Sequence, residues 1–308
     1  MATAEHHHFV DSLPVGERRA SLRASNIPQL SKLAWIGFAL QLLAIAGLEL
    51  GDDIFRGNID PPNAREAVQH AQQLVHFEQI HGIFVEPAVQ LWLRHSHALF
   101  GLLSYGSVVN LANLIYALAQ TLVPVVIAGW IFLKHRSRFP LVRNIALLAT
   151  FLAVVGYELF PLAPPRLTTG LAYNHHAFRF QDAMQDLLSS KSGGSALAYN
   201  PYSAMPSLHM VWAIILAGCV LFLSRRLLIR VLACLYPIIM LFTIVVTGNH
   251  FLLDAAGALA VVAIAVPIAY ALEAVRRRFH QARRSRPIEL DGRHGLQPLP
   301  ASAPCGRC

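Results

Sequence analysis

Two short runs of the chain combine residue types that can do chemistry together: Pro206-Ser207-Leu208-His209 and His250-Phe251-Leu252-Leu253-Asp254. Each stands where a long apolar segment begins, and ionisable groups at such a place are costly unless they are paired or used. His250 and Asp254 lie four apart, so on a helix they share a face. A carboxylate bonded to one imidazole nitrogen fixes the tautomer and leaves the other nitrogen as a nucleophile. A buried His–Asp pair that only satisfies itself has the same spacing. Ser207 and the amides after it would open a helix, and helix N-termini bind anions. Arg166 follows Pro164-Pro165 at the mouth of another apolar segment, where a rigid approach would let its guanidinium grip two phosphate oxygens. The same position also suits an anchor to lipid phosphate. An arginine, two histidines, an aspartate and a helix N-terminus in one place describe phosphoryl transfer through a phosphohistidine. His209, His250 and Asp254 are also metal-ligand types, but Arg166 and an anion-binding helix end would repel a cation. No metal and no cofactor is expected.

These residues need a membrane bundle to position them. Of the 308 residues 55% are hydrophobic and only 14% charged, against about 25% charged in soluble domains. Apolar stretches at 33–50, 114–133, 144–162, 207–223, 228–247 and 251–273 suit a hydrocarbon core that takes about 20 residues per crossing. The first is preceded by more than thirty residues and reads as an uncleaved anchor. With the N-terminus inside, six spans leave only Arg56, Arg65, Arg94, Arg166, Arg179 and Lys191 on the outer side, and every other Lys and Arg falls inside. The net charge of +8 is then a topology signal and an attraction to anionic lipid heads, not a sign of nucleic acid. Under this topology the segments beginning at 207 and 251 both start outside, so His209 and His250 face one compartment although 41 residues separate them. The expected fold is all-α: a multi-pass bundle in the plasma membrane, about six helices, its site on the extracytoplasmic face and both termini cytoplasmic.

The remaining segments are assigned by pattern. Residues 1–32 form a polar cytoplasmic N-terminus, 33–273 the membrane domain, and 274–308 a basic disordered tail. Between 63 and 94, Ala64, Ala67, Val68, Ala71, Leu74 and Val75 recur at helical spacing, which predicts an amphipathic helix in the outer interface or capping the bundle. The stretch 98–133 is too long for one span, and Asn110, Asn113 and Gln120 make it poor as two. Two spans would also put the later basic loops outside, so one span with an interfacial or re-entrant portion is expected, leaving the placement of 98–119 open. Residues 163–206 form a long outer loop with a short helical patch near 178–188. Cys219 and Cys234 read as packing residues. Cys305 and Cys308 close a Pro-rich tail without a second ligand pair.

Taken together, Ala163-Pro-Pro-Arg166, Met205-Pro-Ser-Leu-His209 and Gly248-Asn-His250-Phe-Leu-Leu-Asp254 resemble the signature set of the type 2 phosphatidic acid phosphatase superfamily. They look most like its branch related to inositol phosphorylceramide synthase and inositolphosphotransferase-like proteins, over roughly residues 110–273. The resemblance implies that His250 attacks phosphorus, Asp254 orients it, and His209 protonates the leaving alkoxide. Water or another hydroxyl then takes the phosphoryl group. The ordinary phosphatases carry Lys-x6-Arg-Pro before the first motif and Ser-Arg ahead of the second histidine. This chain has no Lys-x6-Arg-Pro, and Thr243-Ile244 stands in place of Ser-Arg. That favours the transferase-like branch and leaves Arg166 to hold the phosphate. The expected substrate is a lipid phosphoester and the expected partners are membrane lipids; headgroup, acceptor and oligomeric state are not written in the motifs. A plain phosphatidic acid or polyprenyl diphosphate phosphatase, and an inactive headgroup-binding protein, are the alternatives.

Overall fold

The computed structural model describes residues 35–44, 46–47, 62–95, 104–180 and 202–284. Its elements are α1 (Trp35–Ala44), α2 (Pro62–Ile80), α3 (Glu86–His95), α4 (Tyr105–Gln120), α5 (Leu122–Lys134), α6 (Phe139–Leu159), a 3-10 turn (Pro165–Leu167), a two-residue hairpin of β1 (Ala172–Tyr173) and β2 (His176–Ala177), α7 (Leu208–Leu223), α8 (Leu227–Val246) and α9 (Leu252–Arg284). The chain divides into two compact units, residues 1–269 and 270–308. In the second, Glu273 receives hydrogen bonds from Arg276 Nε at 2.7 Å and Arg277 Nε at 2.9 Å, pairs at helical spacing that support the last turns of α9.

Among the described residues, four helical segments are long and apolar enough to cross a membrane: 105–134, 139–159, 227–246 and 252–279. α1 and α7 are apolar but shorter. In lipid the hydrophobic effect does not drive helices together, so close approach of small residues must do it. The inner stripes are built that way. α6 buries Ala146, Ala149, Ala153 and Tyr157, and α9 buries Ala258, Val262, Ala265 and Ala269. The large apolar side chains of α8, such as Leu228, Leu232, Leu235 and Ile238, are exposed instead, as lipid-facing positions are. α7 is buried along most of its length and packs against α8, α6 and α4.

Three sequence expectations change in the structure. The 63–94 helix is two helices, because the chain turns at His81-Gly82, with Gly82 at φ 68°; a glycine takes that left-handed backbone freely. Its predicted apolar stripe is otherwise as read, with Ala67, Ala71, Leu74 and Val75 buried. The difficult 98–133 stretch contains one apolar run of 30 residues, 105–134, interrupted at Thr121, whose hydroxyl donates back to the Ala117 carbonyl at 2.9 Å. Hydroxyls that bond back to the preceding turn bend helices. The sixth segment continues as helix to Arg284, so residues 274–284 belong to α9 and not to a disordered tail. Phe178–Phe180 are not helical. Residues 181–188 of that patch, the 1–32 segment and the Cys305/Cys308 pair lie outside the described residues.

The long loop is pinned at both ends, and this positions the site. Leu162 N–H donates to the Tyr202 carbonyl at 2.9 Å and Ala204 N–H to the Leu162 carbonyl at 3.3 Å, so the opening and closing strands of the loop lie side by side. Ala163 N–H donates to the Ala67 carbonyl of α2 at 3.1 Å. Gly156 of α6 allows the closing strand to pass: a Cβ there would stand 2.8 Å from Pro206 Cδ.

Candidate functional site

The polypeptide brings three separated motifs to one end of the bundle. After the two prolines, Arg166 sits in the 3-10 turn, which Thr168 Oγ1 secures by donating to the Pro164 carbonyl at 2.9 Å. The Arg166 N–H donates to the Gly248 carbonyl at 3.1 Å. The first motif is therefore tied to the loop that carries His250, two residues on. In that loop the amides of Asn249 and His250 both donate to the Ile244 carbonyl at 3.2 Å, and Gly248 turns the chain at φ 65°. Ser207 N–H donates to the Asp254 carbonyl at 3.1 Å, which ties the second motif to the third.

His250 is buried and held by its Nδ1. That nitrogen lies 2.8 Å from the Ala204 carbonyl and 3.3 Å from Asp254 Oδ2. Both partners are acceptors, so Nδ1 carries the proton and Nε2 is the basic nitrogen. Asp254 is fully buried, and its Oδ2 also accepts the Phe251 N–H at 2.9 Å. The aspartate thus does two tasks, fixing the ring tautomer together with Ala204 and capping the start of α9. The His209 ring lies with its centroid 6.1 Å from that of His250. A phosphoryl group within reach of both rings could be attacked by one and protonated by the other.

Two members of the site were not foreseen from the sequence. Tyr116 of α4 stacks on His209 with centroids 3.6 Å apart, and its hydroxyl stands 3.5 Å from His250 Nε2. It touches both histidines from a helix outside all three motifs. The Ala204 carbonyl is the nearest acceptor to His250, and backbone acceptors leave no mark in a sequence.

Ser207 is fully buried. Its hydroxyl accepts the Met210 N–H at 3.5 Å as the N-cap of α7, a long bond that fixes the first turn carrying His209. Ile244, where the ordinary phosphatases would carry an arginine, has no exposed surface and packs in the apolar core beside Met240 and Val245. Its position therefore supplies packing and a backbone acceptor, not charge.

No curated protein and no solved structure matches the chain. The pattern of the PAP2 superfamily does match, over residues 72–268, a stretch that takes in α2 from Gln72, the Arg166 turn and both histidine motifs. The chain belongs to the PAP2 superfamily, a membership that suggests a lipid phosphatase or phosphotransferase.

Proposed function

We propose that the protein is a membrane phosphotransferase that moves a phosphoryl-linked group from one lipid-borne alcohol to another hydroxyl through a phosphohistidine on His250, in the manner of the inositolphosphotransferase-like branch. The observation that carries this reading is the locked Nδ1 of His250, which leaves Nε2 as the nucleophile across a 6.1 Å ring separation from His209. In the first step Nε2 forms a bond to phosphorus, the P–O bond to the leaving alcohol breaks, and His209 gives that alkoxide its proton. In the second, His209 takes the proton from an incoming hydroxyl, whose oxygen attacks phosphorus as the N–P bond breaks. Arg166 and the start of α7 at Ser207 hold the non-bridging oxygens. Asp254 stabilises the imidazolium character that Nδ1 acquires.

The transferase branch is favoured by how little positive charge the motifs provide. A phosphomonoester carries nearly two negative charges at pH 7 because its second pKa is about 6, whereas a phosphodiester carries one. Of the cations that the ordinary phosphatases use, Ile244 replaces one with an apolar side chain. A site leaning on Arg166 suits a diester. The test offers purified protein phosphatidic acid, a polyprenyl diphosphate and phosphatidylinositol, each phosphorus-labelled, with and without polyol or lipid alcohol acceptors. Acceptor-dependent transfer from the diester is the expected result. Release of inorganic phosphate from the monoester alone would replace this reading with that of a plain phosphatase.

In this reading the site faces the extracytoplasmic side. The connections at Lys134–Phe139 and Leu223–Leu227 lie at the helix ends opposite the histidines and carry Lys134, Arg136, Arg138, Arg225 and Arg226, as cytoplasmic loops do. His175 is exposed at the tip of the hairpin beside the Arg166 turn. In a background lacking the four cysteines, His175→Cys should react with a membrane-impermeant maleimide added to intact cells. Labelling only after permeabilisation would reverse the sidedness.

A further inference from the structure

The first turn of α9 carries Asp254 and follows directly on His250, yet its amides are not capped from within the motif alone. Phe251 N–H goes to Asp254 Oδ2. Leu252 N–H donates to Glu86 Oε1 at 2.7 Å, and Leu253 N–H to Glu78 Oε1 at 3.2 Å. Three successive orphan amides of one helix are thus taken by three carboxyl groups from three helices. Glu78 and Glu86 come from the ends of α2 and α3 on either side of the Gly82 turn, and both are fully buried. Their second oxygens, Glu78 Oε2 and Glu86 Oε2, are buried with no donor supplied by the protein, and the two carboxyls accept from adjacent amides, close enough to act on each other. Two buried carboxylates so placed repel unless one of them holds a proton.

We propose that Glu78 and Glu86 form a proton-sharing carboxyl pair that clamps the first turn of α9, and so act as positioning residues for His250 and Asp254. The inference rests on the phosphotransfer reading for its catalytic half. The clamp has a charge logic. Three full negative charges around one helix end would repel, and the shared proton removes one of them while both Oε1 atoms keep accepting amides. Burial, with Glu86 and Asp254 close by, pushes the Glu78 carboxyl up to about 9. Burial pushes Glu86 up to about 7, although the Leu252 amide favours its charged form. At neutral pH the pair therefore keeps a proton, and burial favours that for both members. The groups facing the pair are Asp254 on α9 and, across Asp254, His250; His76 on α2, His81 in the turn after it and Arg94 on α3 are exposed. Because both values lie above those of an unfolded glutamate, the fold binds more protons than the unfolded chain in this range. The stability of the turn falls as pH rises, and the clamp is lost as pH passes through about 9.

The test reads the clamp with and without chemistry. Hydrogen–deuterium exchange of the Phe251–Leu253 amides, corrected for intrinsic rates, is followed from pH 6 to 10 in the wild type, Glu78→Gln and the double alanine variant, beside the pH profile of kcat. Glutamine imitates the protonated carboxyl, donating to Glu86 and accepting from Leu253. In the wild type, protection should collapse around pH 9 and kcat should fall with it, while KM changes by less than about threefold. Glu78→Gln should keep its protection to pH 10 and carry its alkaline limb about one unit higher or more. The double alanine variant should lose protection at every pH and at least about tenfold in kcat. Protection that ignores pH in an active wild type, with the glutamine limb unmoved, overturns the pair. A wild type that shows the protection change but turns over no lipid overturns the phosphotransfer reading, and with it the positioning role.

Discussion

Replacing His250 with alanine should abolish turnover, a loss of about ten-thousand-fold or more in kcat of the kind that follows removal of a covalent nucleophile. The expectation follows from how completely the structure commits this side chain. Its Nδ1 is engaged by the Ala204 carbonyl at 2.8 Å and by Asp254 at 3.3 Å, so Nε2 is the ring nitrogen left to attack. The side chain is buried, so its removal also costs packing, and a melting temperature measured beside the rate separates the two effects. A folded His250→Ala protein that retained a tenth of the activity would require another nucleophile.

His209→Ala should be the second most damaging change, and its size should depend on the leaving group. A lipid alkoxide is a poor leaving group, and positioned proton donation is worth about a hundred- to ten-thousand-fold. With a nitrophenyl phosphodiester, whose leaving group departs without a proton, the loss should shrink to about tenfold or less. The stacking of His209 on Tyr116 at 3.6 Å fixes the imidazole plane, so the residual rate on the activated substrate reports binding and nucleophilic attack alone. Equal losses on both substrates would assign His209 to binding and not to proton donation.

The parts of this site that were legible in the sequence are those defined by short spacing. Residues 250 and 254 were expected to meet, and they do, although His250 lies in the loop before α9 and not on the helix; charge counting put 209 and 250 on one side, and the two rings lie together. The amphipathic stripe from Ala67 to Val75 was equally plain, because period and burial agree there. Glu78 and Glu86 were not legible. Carboxylates are almost never buried unless paired, so on an amphipathic helix they read as the solvated face, and nothing local reveals that each meets an amide of α9 more than 160 positions away. Tyr116 was hidden for a related reason: its place between two histidines follows from how α4 packs on α7, not from its neighbours in the chain. The turn at Gly82 was masked because hydrophobic periodicity resumes in α3 after it. Ile244 shows the reverse case, in which an absence was informative: the sequence revealed a missing cation, and the structure shows the position given over to packing and to a carbonyl that orients the His250 loop.

In the proposed reaction His250 becomes covalently bonded to phosphorus. Rapid-quench of the wild type with a phosphorus-labelled lipid phosphodiester, at times shorter than one turnover, tests it most directly. The expected result is an acid-labile, alkali-stable label that maps to the peptide containing His250, is absent from His250→Ala, and accumulates when the acceptor hydroxyl is withheld. Turnover without any labelled protein, or a label that maps elsewhere, would contradict it.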